Sequence, residues 1–272
     1  ANGPWVTVGD AGIRAVMQQM LPHRTSETSY YVELLEAIAD ANGQALEVID
    51  TPHRWEGMAD VAVVGDKVVL TYAVPGHYDE GIEPKSKRSS REGVSFAADQ
   101  SGVPEEARIY AELVYPHFHG DTVHYGVRPV GGAPMLAHYQ GGLWGDGAAV
   151  VRDALGAEAI LPIGRDDAVE QYAGNSRQVN DGVLIPDGCS ADYQHALEER
   201  GLSTHRVPLF ELFGKAGGGP GCATLYMPAN LELPADSPLR YSQSKEAVAA
   251  RRARLPETLR VAPEFFHGRQ RG

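Results

Sequence analysis

The sequence predicts an α/β fold made by repeating one unit of strand pair, helix and closing strand. Three observations predict it. Val61-Ala62-Val63-Val64 and Lys67-Val68-Val69-Leu70 flank Gly65-Asp66 and read as a hairpin, with a helix-like stretch following at Glu92 to Gln100. The same order returns with the strand Val183-Leu184-Ile185, the helix Ala191 to Arg200 and the strand Thr204 to Pro208. A helix also precedes a strand near the start, at Tyr30 to Asn42 and Leu46 to Ile49, so one order recurs along the chain.

The elements follow from local pattern. Tyr30 to Asn42 carries Tyr31, Leu34, Leu35 and Ile38 at the spacing of one helix face, and Gly43 is its stop signal. Tyr115 to Val123 reads as a strand, which would place His119 and Asp121 on one face. Gly141 to Gly147 is glycine-rich and reads as a surface turn, with a flexible lid as the functional alternative. Beyond Pro228 the repeating pattern stops. Asp236-Ser237-Pro238 leads into an expected helix from Ser244 to Arg254, whose Arg251, Arg252 and Arg254 read as a solvated face. The expected division is a main domain over 1–228 and a helical appendage over 229–272.

Composition narrows the function. At 272 residues and 43% hydrophobic, the chain can bury a full core. A net charge of -12 argues against nucleic acid and anionic membranes as partners and suits a cationic small molecule. No apolar run approaches the length of a membrane-spanning helix. Cys189 and Cys222 are the only cysteines, so no disulfide framework is implied, which fits a reducing, cytoplasmic compartment. A homo-oligomer is compatible with all of this.

Cys222 carries the chemistry most directly. It ends the run Gly217-Gly218-Gly219-Pro220-Gly221, where a sulfur has little steric cover, although a structural cysteine is the ordinary alternative. His119 and Asp121 offer a base beside a cation-binding carboxylate, and Glu56-Gly57-Met58-Ala59-Asp60 offers two more acids for a planar fork of donors. His117, His119 and His124 could equally form a metal site. No paired Cys or His spacing accompanies them, so neither a metal nor a cofactor is expected.

The order Glu-Gly-x-x-Asp, Ser-x-Arg-Ser, His-x-Asp-Thr and a glycine-rich loop ending in cysteine resembles the guanidino-group-modifying enzymes of the pentein fold. Arginine deiminase, dimethylarginine dimethylaminohydrolase, agmatine deiminase and the amidinotransferases belong to that superfamily. The resemblance runs from about Asn2 to Pro228 and implies an α/β propeller of pseudo-fivefold ββαβ repeats. Only four full units can be counted here, and Asn2-Gly3-Pro4-Trp5-Val6 is similar to a stretch inside the family's first repeat. A first repeat cut short at Ala1 is therefore expected, completed by an upstream segment, either a separate processed N-terminal peptide or preceding sequence of the same chain.

By the same resemblance Cys222 is the nucleophile, His119 the acid/base and Glu56 its partner carboxylate. Asp60 and Asp121 would hold the guanidinium. Arg88, in Ser86-Lys87-Arg88-Ser89, would hold the far end of the substrate, with Arg24 as the second choice. Gly174-Asn175 and Val183 to Pro186 resemble the family's fourth unit. The implied activity is hydrolysis of arginine or a substituted arginine, through a covalent cysteine intermediate, to a ureido product plus ammonia or an amine. Two other readings stand beside it: an amidinotransferase using an amine acceptor, and a non-catalytic pentein that only binds.

Overall fold

The computed structural model of the protein describes residues 3–20, 26–74, 89–208, 218–228 and 231. In the first unit β1 (Trp5–Gly9) pairs antiparallel with β2 (Gly12–Met17), α1 (Ser26–Asn42) crosses over, and β3 (Leu46–Asp50) returns parallel to β2. The second unit repeats this with β4 (Val61–Val64), β5 (Lys67–Tyr72), α2 (Arg91–Gln100) and β6 (Arg108–Glu112). The third uses β7 (His124–Val127), β8 (Met135–His138), α3 (Gly147–Leu155) and β9 (Ile160–Pro162). A short helix, α4 (Arg165–Val169), leads to the fourth: β10 (Arg177–Val179), β11 (Gly182–Pro186), α5 (Ala191–Glu199) and β12 (Ser203–Val207).

Among the described residues these strands form four three-stranded sheets. Each unit pairs antiparallel across a short loop, two residues in three of the hairpins and seven between β7 and β8, and parallel across a helix, as connection lengths require. The unit nearest the N-terminus among the described residues has its hairpin, helix and closing strand. The strand expected ahead of Cys222 and the helix expected at 244–254 lie outside the described residues. No helix among the described residues is long and apolar enough to cross a membrane.

Much of the core sits in the seams between units, and in the first unit Leu35, Ile38 and Ala39 of α1 also pack on Ile13, Ala15 and Met17 of its own sheet. Trp5 and Val16 of the first sheet pack with Val61, Val68 and Leu70 of the second around Val94, Ala97 and Ala98 of α2. The opposite face of the second sheet, with Ala62, Val64, Val69 and Ile109, meets Leu136 and Val151 of the third unit. Tyr125, Val127 and Leu161 then meet Val183, Ile185, Tyr193 and Leu197 of the fourth. Covered on both faces, β5 is buried at Val68, Val69, Leu70 and Thr71 in succession rather than alternately. Each such aliphatic side chain removed from water contributes about 1.5–3 kcal/mol. The helices start on capping side chains: the Ser90 hydroxyl accepts from the Gly93 amide at 3.0 Å, and the Ser190 hydroxyl from the Tyr193 amide at 3.1 Å.

One local expectation needs correction, and one alternative falls away. His119 to Asp121 is not a strand. His119 is extended and caps a single 3-10 turn, Gly120–Thr122, because the Thr122 amide and hydroxyl both donate back to the His119 carbonyl, at 3.1 and 2.7 Å. His119 and Asp121 therefore point to different neighbours. The glycine-rich run Gly141 to Gly147 is anchored rather than lid-like: Leu143 is buried and bridges to Leu113, and the Trp144 amide donates to the Glu112 carbonyl at 2.8 Å.

Candidate active site

The site forms where the turns ahead of β4, β7 and β10 converge. Glu56 and Asp60 precede β4, His119 and Asp121 precede β7, and Asn175 precedes β10. Gly57 sits at φ 89°, a conformation open to glycine, and lets the chain reverse into the 3-10 turn Met58–Asp60. Gly120 is needed for space: a Cβ there would stand 2.1 Å from Thr71 Oγ1.

Asp60 is fully buried and saturated. Its Oδ1 accepts from the Gly120 amide at 2.8 Å and from the Thr71 hydroxyl at 3.1 Å, while its Oδ2 takes a short hydrogen bond from the Ser89 hydroxyl. The Ser89 oxygen in turn accepts from the Glu56 amide at 3.0 Å. Burial raises the Asp60 carboxyl above the ordinary carboxylate range, opposed by nearby His119 and by the hydrogen bonds from Ser89 and Gly120. Asp60 thus pins the second unit's turn to the third unit's turn.

His119 and Glu56 form a buried pair, His119 Nε2 to Glu56 Oε2 at 3.1 Å, with both side chains shielded from solvent. One residue on, Asp121 turns the other way. Its Oδ2 accepts from the Cys222 thiol at 3.6 Å, and its Oδ1 is buried without a hydrogen-bond partner among the described residues. The Cys222 thiol is pushed up to about 11, first by burial and then by the Asp121 charge, against weaker opposing help from the hydrogen bonds of Gly219 and Asn175. The resting group is therefore the thiol. Cys189 is the other free cysteine; it lies in the core between the third and fourth units, and burial pushes its thiol up to about 12.

The structure brings five of the expected residues together: Glu56, Asp60, His119, Asp121 and Cys222. Arg24 and Arg88 lie outside the described residues. Three contributors were not singled out by sequence. Ser89 and Thr71 anchor Asp60, and Asn175 anchors the Cys222 turn through its Oδ1, which accepts from the amides of Gly219 at 2.8 Å and Cys222 at 3.0 Å. Hydroxyls and a lone amide carry no chemical signature in a sequence, although Ser89 and Asn175 both fall inside motif stretches noted above. His117 pairs with the Thr122 hydroxyl at 3.0 Å, whereas His124 stacks against His138, ring centroids 5.6 Å apart. Among the described residues no group of three metal-ligating side chains is assembled.

No family model and no curated protein matches the chain. Solved structures do. The N-terminal domain of ArgZ, an arginine dihydrolase from the ornithine-ammonia cycle in cyanobacteria, was solved as a cysteine-to-serine mutant bound to substrate. It matches at TM-score 0.65 and 23% identity, over 83% of this chain and 73% of that one. AgrE, as a cysteine-to-alanine mutant with L-arginine, matches at TM-score 0.62 and 21% identity, over 86% of this chain and 32% of its own. A dimethylarginine dimethylaminohydrolase, as an adduct with 4-chloro-2-hydroxymethylpyridine, matches at TM-score 0.54 and 18% identity, over 80% and 73%. The chain thus spans most of the ArgZ N-terminal domain but 32% of the longer ArgZ chain. The likeness at these identities is one of fold, and that fold is the one these arginine dihydrolase and dimethylarginine dimethylaminohydrolase structures share.

Proposed function

We propose that the protein is a cysteine-dependent hydrolase of the guanidino group of arginine or a substituted arginine, giving a ureido product plus ammonia or an amine. One observation carries this reading: the Cys222 sulfur faces a buried carboxylate, Asp121, whose second oxygen has no partner, beside the buried His119–Glu56 pair. A guanidinium supplies what that oxygen lacks, a cation with N–H donors in a plane. Its charge also offsets the Asp121 field that holds the thiol protonated, so binding itself favours ionisation of Cys222.

The steps balance with these groups alone. The Cys222 thiol passes its proton to His119 and the sulfur adds to the central guanidinium carbon, forming the C–S bond. Imidazolium His119 then protonates the departing nitrogen as the C–N bond breaks, which leaves a cationic S-amidino intermediate and neutral His119. Water adds to the same carbon and gives a proton to His119. The C–S bond breaks, the sulfur recovers a proton from the new hydroxyl, and the carbon becomes the ureido carbonyl. The proton held by His119 leaves with the ammonia or amine. Glu56 orients the imidazole through its contact with His119 Nε2. Arg88 is proposed for the substrate's far end, and Arg24 as the second choice.

The test is a panel of arginine, methylated arginines and agmatine, each with and without amine acceptors. Ureido product and released ammonia or amine are expected, both lost in Cys222→Ala. Amidino transfer without ureido product would assign the transferase reading instead. Unchanged activity in Cys222→Ala would overturn both.

A further inference from the structure

A second concave feature lies away from Cys222. The strands β4, β7 and β10 each begin at the catalytic turns, and their opposite ends, at Val63 to Gly65, Gly126 to Arg128 and Gln178 to Asn180, line a cavity of about 690 Å³. Strands of this length place the two sites roughly 10 Å apart. Trp5, Met58 and Val61 form its apolar floor, and Tyr226 and Met227 a further wall. The volume falls in the range of sites that hold small organic ligands. Val63 and Tyr226 at the rim are 52% and 41% exposed, so apolar surface continues to the opening.

The polar edge of this cavity is specific. The Gln178 side chain is consumed internally: its Oε1 accepts from the Arg128 amide at 2.7 Å, and its Nε2 donates to the carbonyls of Arg128 and Asn180 at 2.7 and 2.9 Å. No acidic side chain is among the lining residues. The Arg128 guanidinium is exposed and has no ion pair among the described residues, in a protein of net charge -12. An apolar basin with one uncompensated cation at its edge matches a ligand with an apolar body and one negative head. We propose that this cavity is a second ligand site, distinct from the catalytic one, that takes a small apolar carboxylate. Its occupant would rest on Met58, in the turn between Glu56 and Asp60, and so press on the floor of the catalytic site.

Methionine methyl NMR on the full-length protein, with octanoate as the probe, tests this without reference to turnover. The chain has five methionines, of which Met58 and Met227 line the cavity while Met17 lies in the core under α1. Saturable shifts of the Met58 and Met227 methyls are expected while Met17 stays still. Arg128→Gln should weaken octanoate about fivefold, as the loss of a partly exposed charge pair does, and Val63→Trp should fill the mouth and abolish binding. Octylammonium, favoured by the net charge alone, should bind more weakly than octanoate. Absence of saturation, equal movement of Met17, an unaltered affinity in Arg128→Gln, or a preference for octylammonium would each overturn the proposal. Thermal melts of both variants should stay cooperative with midpoints near that of the unaltered protein, which shows that they are folded.

Discussion

The Asn175 side chain ties Cys222 to Asp121: its Oδ1 accepts from the Cys222 amide at 3.0 Å, and its Nδ2 donates to the Asp121 carbonyl at 3.0 Å. One amide therefore sets the distance between the sulfur and the carboxylate that faces it. Asn175→Ala removes these bonds and the one from Gly219, and should cost about 1–3 kcal/mol of stability with a larger loss of turnover. Asn175→Asp keeps the acceptor and should retain more of the fold than Ala does. Thermal melts alongside kcat measurements separate the two effects.

Thiol reactivity should report the charge of Asp121. Because the Cys222 thiol sits at about 11, its alkylation in the empty protein should accelerate steadily with rising pH across the neutral and mildly alkaline range, without a plateau. Asp121→Asn removes one cause of the raised value, so alkylation should become faster even as turnover falls. Mass spectrometry of iodoacetamide-treated protein checks both. An identical rate in wild type and variant would show that the carboxylate does not act on the sulfur.

His119→Ala should lower turnover by about 10²–10⁴-fold, the range for a lost acid/base group. Glu56→Gln preserves the shape of the buried pair and should give a smaller loss. Steady-state rates on the best substrate rank the three proteins, and Glu56→Gln falling below His119→Ala would contradict the assigned roles.

Acid should unfold the protein through its buried histidines. Burial lowers His117 and His138 to about 4, and lowers His124 well below the ordinary 6.5 with further help from His138. Above 6.5 these rings are neutral in both folded and unfolded chains and cost nothing. Between 6.5 and about 4 the unfolded chain takes up protons that the folded one refuses, so stability falls by up to about 1.4 kcal/mol per pH unit for each ring. Below about 4, His117 and His138 protonate in the fold and their share of the slope ends. Denaturant titrations across this window should show the decline, and His138→Leu should make it shallower.

Sequence pattern located the β4–β5 hairpin because Gly65-Asp66 separates two valine runs, and its helix-like stretch from Glu92 to Gln100 matches α2 to within one residue. It missed the start of α1 by four residues, since Ser26 to Ser29 are polar and carry no apolar period. It misread His119 to Asp121, where alternating residue types imitate a strand but side-chain hydrogen bonds close a turn. The site was legible as residue types in order, not as contacts. Nothing in the sequence says that Asp60 is saturated by Ser89, Thr71 and Gly120 while Asp121 keeps an oxygen free for a ligand.

Because much of the core lies in the seams, no single unit owns the chemistry. Glu56 and Asp60 come with the second unit, His119 and Asp121 with the third, and the clamp on the sulfur, Asn175, with the fourth. Loosening one seam by an ångström would silence the protein while every sheet stayed hydrogen-bonded and its circular dichroism stayed native. Activity is thus a gauge of how the units are docked, and damage far from any reacting atom, at Leu136 or Ile185 for example, should register first as lost turnover and only later as lost structure.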